Sequence, residues 1–254
     1  MASYQRRGYK KSVKAVKSNE EVVDQNSQTA EVFSALDSGA SRSEEWFRNN
    51  QKIILGLIIA IAVVGIGSFA YNEFIITPKE REAANELYYP QSYFEQSTQP
   101  GVAKDSLLGL ALNGAQGKYG FVDIIDNYSG TKAAKLASYG AGMSYLQLGE
   151  YTQAIAALEE FSSDDAILSA LAKGAIADAY AGLERYSDAL TAYESAMSQN
   201  TNDFTTPMFL RKALFMALEV NETGKALKYA KRLKKEYTGN TEASGIDAII
   251  GNLE

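Results

Sequence analysis

Two hydrophobic patterns divide the chain. Between Ile53 and Tyr71 no charged residue occurs (IILGLIIAIAVVGIGSFAY), whereas beyond Pro78 apolar residues recur at helical spacing in short runs separated by Gly, Asn and Ser. The first pattern predicts a membrane-spanning helix. Its 19 residues at about 1.5 Å rise cover roughly 28 Å, close to the hydrocarbon thickness of a bilayer. Arg48 and Lys52 flank it, and Trp46, Tyr71 and Phe74 fall where interfacial residues are expected. A core helix of this length keeps a polar face, and this run has no charged one. Ser68-Phe69-Ala70 loosely matches a signal-peptide cleavage site, but the 52 residues before the run far exceed an ordinary n-region. Gly56 and Ala60 form a small-xxx-small pair through which a homodimer would pack its two helices.

The second pattern predicts an all-α soluble part over 78–254. Ala83, Ala84, Leu87 and Tyr88 mark one helix face, and Pro90 should kink or end that helix. Further helices are expected at 106–112, closed by Asn113-Gly114, and at 121–128. Gly130 suits a position just past a helix end, and Thr131 suits the cap of the next helix.

Repeats emerge over 132–238. Ala154, Ala189 and Ala226 each lie early in the second helix of a hairpin, at spacings of 35 and 37 residues. A tetratricopeptide repeat has a period of about 34 residues. The units fall at about 135–168, 170–203 and 207–240. The first has Gly142, Tyr145, Gly149, Tyr151 and Ala154 in register; the second has Ala177, Tyr180, Tyr186, Ala189, Tyr193 and Ala196. Small residues at Gly142/Ala154 and Ala177/Ala189 let paired helices approach closely, while Tyr rings fill the outer gaps. Gly149 permits a tight turn. The third unit is degenerate, with Leu214 where a small residue is expected, Pro207 as first helical residue and Thr206 as cap. The expected fold is a single transmembrane helix followed by a tetratricopeptide-like hairpin superhelix.

In such a superhelix the first helix of each pair builds the concave wall. The register assigns to it Tyr139, Met143 and Leu146, then Leu171 and Asp178, then Met208, Arg211, Phe215 and Leu218. A mostly apolar wall with two Met residues suits adaptable binding of peptides. It lacks the basic-and-Asn pattern that clamps a C-terminal carboxylate. The wall is either open or filled by residues 80–97.

Charge refines this picture. Residues 1–52 hold 9 basic and 7 acidic side chains; residues 53–254 hold 16 and 24. Residues 1–45 read as a basic, mostly disordered tail, with a short amphipathic turn at 31–36. Ser41 and Glu44 have capping-box spacing, so a helix is expected to begin near Arg42. Six basic residues between Arg6 and Lys17 place the N-terminus on the cytoplasmic side and the larger part in the periplasm. An acidic soluble part argues against nucleic-acid binding. The chain has no Cys and no His. That excludes disulfides, thiolate metal sites and the common nucleophile–imidazole pairs. Glu44-Glu45, Glu159-Glu160 and Asp164-Asp165 are sequence neighbours, which point about 100° apart on a helix and cannot share one small site. No phosphate-binding loop occurs. No catalysis, metal or cofactor is expected.

The segments SEEWFRNNQKIILG, NYSGTKAAKLASYGAGMSYLQLGEYTQAIAALEEF and DAYAGLERYSDALTAYESAM resemble bacterial YfgM-like proteins, especially forms from the Bacteroidota. The resemblance covers roughly residues 43–250. The long basic tail and Pro90 depart from it. It implies one membrane helix, a periplasmic tetratricopeptide-like domain and a place as an ancillary subunit of the Sec translocon. The implied partners are that translocon, a membrane-anchored periplasmic peptidyl-prolyl isomerase and newly exported unfolded chains. The alternative is a structural scaffold of another cell-envelope complex.

Overall fold

The computed structural model describes the backbone of residues 28–199 and 201–254, and the side chains of 46–199 and 201–254. Among the described residues there is no β-strand; Ala115 and Lys118 make one isolated bridge. The chain divides into two compact units, Met1–Gly67 and Ser68–Glu254.

The described part of the first unit is helix α1, Gln28–Tyr71, whose last residues belong to the second. It begins well before Arg42, and residues 28–45, expected to be mostly disordered, are helical. No proline occurs before Pro78 to stop it. The basic cluster Arg6–Lys17 lies outside the described residues. Ile53, Leu57, Val64 and Phe69 are each more than half exposed. The helical run Trp46–Ser97 is the described stretch long and apolar enough to cross a membrane, and none of its most apolar window is buried.

The second unit opens with a break in helical register. Pro78 offers no N–H to the carbonyl of Phe74, and its ring crowds that oxygen. The backbone answers with a π-helix at Asn72–Ile76, in which both the N–H and the hydroxyl of Thr77 donate to the Asn72 carbonyl. Helix α2, Thr77–Glu86, ends at Leu87, and α3, Tyr88–Ser97, carries Pro90 buried in its first turn. The break expected from Pro90 is therefore present. Helices α4, Lys104–Asn113, and α5, Phe121–Asn127, follow. α6, Lys132–Leu148, is capped by Thr131, whose hydroxyl accepts from the Ala134 N–H at 3.0 Å.

Then come α7, Tyr151–Glu159; α8, Ala166–Gly182; α9, Tyr186–Gln199; α10, Thr205–Glu219; and α11, Thr223–Glu236. A 3₁₀ turn, Thr241–Ala243, leads to α12, Ile246–Leu253. Each helix from α6 to α11 packs on its successor, α6 also touches α8, and α8 touches α10.

The three hairpins α6–α7, α8–α9 and α10–α11 turn in the same way. One residue sits in the left-handed region: Gly149 (φ 78°), Glu184 (φ 59°) and Asn221 (φ 60°). The next N–H reaches back five residues, Glu150 to Tyr145 (2.9 Å), Arg185 to Tyr180 (2.9 Å) and Glu222 to Ala217 (2.7 Å). These bonds satisfy carbonyls that the helix end would otherwise orphan. The turns lie 35 and 37 residues apart, like the alanines Ala154, Ala189 and Ala226, all of which are fully buried.

Glycines facing large side chains set the helix spacing. A Cβ on Gly142 would lie 2.5 Å from the Leu158 Cγ, with Ala154 behind it. On Gly174 it would strike the Phe209 ring at 2.1 Å, on Gly182 the Tyr151 ring at 2.3 Å, and on Gly140 the Phe121 ring at 2.5 Å. In the third hairpin Leu214, where a small residue was expected, is completely buried in the C-terminal core. Helix α10 begins two residues earlier than Pro207 and its Thr206 cap suggested. Asn202 organises its start, with Oδ1 accepting from the N–H groups of Phe204 (2.8 Å) and Thr205 (2.7 Å). The Thr206 hydroxyl, inside the helix it was expected to cap, accepts from the Asn202 N–H at 3.0 Å.

Glu184→Gly removes left-handed strain from a β-carbon and is expected to stabilise the full chain by about 0.5–1 kcal/mol, whereas Gly149→Ala should cost about 1 kcal/mol or more. Denaturant unfolding in detergent, read by circular dichroism, checks both signs.

Candidate functional site

Tyr139 and Met143 lie one turn apart on α6, both half-buried. With Gln91, Phe94 and Glu95 of α3 and Leu168 of α8 they line a cleft of about 390 Å³, completed by Phe121, Leu136 and Gly140. Residues 80–97 thus form one side of the cleft without closing it. The Tyr139 ring leans on Phe161 at 5.2 Å between centroids. Leu146 joins Tyr139 and Met143 in packing against Leu158, Phe161, Ala172 and Ala175. Burial pushes the Tyr139 phenol above its ordinary pKa, so it stays a hydrogen-bond donor.

The other residues assigned to the wall do not join this cleft. Leu171, Met208 and Leu218 pack against the C-terminal core around Phe209, Leu210 and Leu214. The Gly174–Phe209 contact draws α8 and α10 together there. Asp178 is engaged: it accepts from the Tyr193 hydroxyl, and Lys212 of α10 donates to its two oxygens at 2.6 and 2.7 Å. Arg211 holds the C-terminal turn, donating to the carbonyls of Glu242 (2.6 Å) and Ser244 (3.0 Å). Phe215 remains 41% exposed, with the Arg211 guanidinium 5.7 Å from its ring centre. A continuous wall is therefore corrected to one cleft at α6, a consumed polar centre at α8–α10 and an isolated ring.

Ala177 and Ala189 are fully buried, and Tyr193 nearly so. Tyr145 and Tyr180 pack half-buried on the core clusters, Tyr151 covers Gly182, and Tyr186 is half-buried at the start of α9. In the apolar helix Trp46 (58%) and Tyr71 (55%) are exposed, as are Arg48 and Lys52.

A second cleft of about 340 Å³ escaped the sequence reading. Lys132, Lys135, Leu136, Phe161 and the loop Ser162–Asp165 line it. Leu136 belongs to both clefts, so they meet on α6. Two lysines three apart at a helix start carry no distinctive signal by themselves. Their placement follows from α2: the Glu80 carboxylate accepts from the N–H groups of Lys132 (2.6 Å) and Ala133 (2.9 Å), sealing the positive end of α6. Among the described residues neither lysine forms an ion pair. No group of His, Cys, Asp and Glu suited to a metal occurs among the described residues.

No family model, curated protein or solved structure matches the chain. Among the described residues the geometry defines an all-helical protein of stacked hairpins, with one helix long and apolar enough to span a bilayer.

Burial first, then the neighbouring Glu82 carboxylate, pushes the Tyr128 phenol up to about 12. The folded chain holds this proton after an unfolded chain has released its own near pH 10. Stability from Tyr128 is complete below pH 10 and is lost as pH rises to about 12. Tyr128→Phe should be about 1 kcal/mol less stable at pH 8, and the gap should close across that window. Urea midpoints of the two proteins from pH 8 to 12 test this.

Proposed function

We propose that the protein is a membrane-anchored adaptor with a tetratricopeptide-like periplasmic domain, working as an ancillary, chaperone-like subunit of the Sec translocon. The observation that carries the binding part is the cleft at Tyr139 and Met143, lined by Phe94 and Leu168 and flanked by stacked hairpins. Met and aromatic side chains adapt to varied apolar partners. The bare apolar helix supports the anchor, because exposing its side chains to water costs about 25 cal/mol per Å². The translocon, the peptidyl-prolyl isomerase and the exported chains come from the YfgM-like resemblance. The reading as a binding protein that carries out no reaction itself rests instead on the residues, among which no Cys and no His occur.

A photoreactive residue replacing Met143 in intact cells is expected to capture the Sec channel, its isomerase partner or exported chains. Capture confined to other envelope complexes would replace this reading with that of an assembly scaffold. The absence of native cysteine makes topology simple to read. A cysteine at Ser12 should resist a membrane-impermeant thiol reagent in intact cells with a permeabilised outer membrane, and one at Ser162 should react. The reverse labelling would invert the orientation.

A further inference from the structure

Each helix from α6 to α11 packs on at least two others, whereas α12 packs mainly on α11. The apolar residues of α12 recur at i, i+3, i+4 and i+7: Ile246, Ile249, Ile250 and Leu253. Ile246 and Ile250 are buried in the core that holds Ala230, Leu233 and Tyr237, and Ile249 and Leu253 pack half-buried against it. At the two ends of α12, Asp247 pairs with Lys234 (2.7 Å) and Glu254 with Lys231 (2.6 Å). The end of the α10–α11 hairpin is therefore a built groove with an apolar floor and a basic edge. Its occupant shows what fits: an amphipathic helix of two turns with a carboxylate at each end.

The acids that answer Lys231 and Lys234 belong to this occupant and not to the groove. Helix α11 carries six basic residues and one acid, Glu236. Glu194 and Glu222 pair with Lys225, and Glu236 pairs with Arg232. Lys228 and Lys235 are exposed and form no ion pair among the described residues. With α12 out of place, the six cations of α11 face only Glu194, Glu222 and Glu236, and the edge of the groove is positive.

Helix α12 is also held in a way that lets it leave. The Arg211 guanidinium fixes the carbonyls of Glu242 and Ser244, so the 3₁₀ turn stays with α10. Gly245 follows at φ 74°, and a Cβ there would meet nothing within 4 Å. A glycine in open space between a clamped turn and a short helix is a pivot. Both ion pairs of α12 are more than half exposed and contribute little. Its eight residues are too few to persist as a helix in water. The buried side chains of Ile246 and Ile250 are its main hold.

We infer that the end of the α10–α11 hairpin is a second docking surface, which takes an amphipathic helix of a partner protein with flanking carboxylates, and that α12 is its internal occupant, displaced by a swing at Gly245. Such a partner gains Lys228 and Lys235, which α12 leaves unused. The surface shares no residue with the cleft at Met143, so its failure leaves the adaptor reading untouched.

The test uses the full chain in lipid nanodiscs and a blocked, fluorescent peptide of residues 244–254, stapled between the exposed positions 248 and 252. Ile246→Ser with Ile250→Ser unseats α12 and leaves the groove intact. Fluorescence anisotropy should show the doubly substituted chain binding the peptide about tenfold more tightly than the unsubstituted one, because the competing internal helix is gone. A peptide with lysine in place of both carboxylates should bind that chain about fivefold less tightly. Adding Lys231→Glu and Lys234→Glu to the chain should reverse the order of the two peptides. In the unsubstituted chain, the α12 amides should exchange hydrogen about a hundredfold faster than those of α10.

Equal binding of the peptide by the two chains, or binding by neither, overturns the displaceable occupant. An order of the two peptides untouched by the lysine reversal overturns the recognition of carboxylates. Where the doubly substituted chain does not fold, hydrogen exchange decides: α12 amides as slow as those of α10 overturn the proposal, and the faster exchange upholds it.

Discussion

The architecture of the second unit depends on helices approaching through residues that have no side chain. Gly142 admits Leu158, Gly174 admits the Phe209 ring, and Gly182 admits the Tyr151 ring, each at a distance no Cβ would tolerate. Dispersion contacts are individually small, and close approach multiplies them. The same approach places Asp178 of α8 within reach of both Tyr193 of α9 and Lys212 of α10. It also buries Ala177, Ala189, Ala213 and Ala217 completely, which longer side chains at those positions would prevent. The cleft opens where this interlock changes partner. Gly140 on α6 receives its ring from Phe121 of α5, and α8 brings Leu168, Ala172, Ala175 and Ile176 to the cluster that holds Tyr139 and Met143. Half-buried side chains and free volume result.

Polar contacts reinforce the joints made by packing. Tyr193 donates to Asp178 between α9 and α8, and Tyr229 donates to Glu194 between α11 and α9. Burial and the adjacent carboxylate push both phenols upward, so they remain protonated donors. A hydroxyl bonded to a carboxylate in a half-buried joint is stronger than a neutral pair and fixes relative rotation. At the C-terminal end the Arg211 guanidinium performs a similar task on the backbone of Glu242 and Ser244. These groups are spent on holding helices together. That is why residues assigned by register to an open binding wall turn out to be occupied.

Much of this order was legible in the sequence. Ala154, Ala189 and Ala226 gave the hairpins, Gly114, Gly130 and Gly149 gave turns, and Thr131 gave a cap, because local patterns encode local structure. The glycine–ring contacts were not legible. Gly174 and Phe209 are 35 residues apart, and Gly182 and Tyr151 are 31 apart; nothing local pairs them. The fate of Arg211 depended on a turn folding back from residues 241–244. The extension of α1 to Gln28 was missed because a polar, charged stretch resembles a tail. Without proline it remains compatible with helix. Glu184 was invisible as a turn residue, since its side chain suits neither the left-handed region nor any turn motif.

The cleft and the segment after the apolar helix are physically one construction. Pro78 forces the π-helix at Asn72–Ile76, and α2 then starts with Lys79 and Glu80 facing the α5–α6 junction. Lys79 donates to the Ser129 carbonyl, and Glu80 closes the first turn of α6 from outside it. Ala83 and Leu87 continue the contact into the core beside Phe121 and Ala137. Two turns of α2 therefore supply a carboxylate that no residue of α6 itself could place. That carboxylate offsets the positive end of the helix while leaving the Lys132 and Lys135 side chains outward. Helix α3 then returns over α6 with Gln91, Phe94 and Glu95 to make the facing wall. The chain leaving the apolar helix is thus what frames the cleft, and shifting α2 by one helical turn would uncap α6 and displace α3 together.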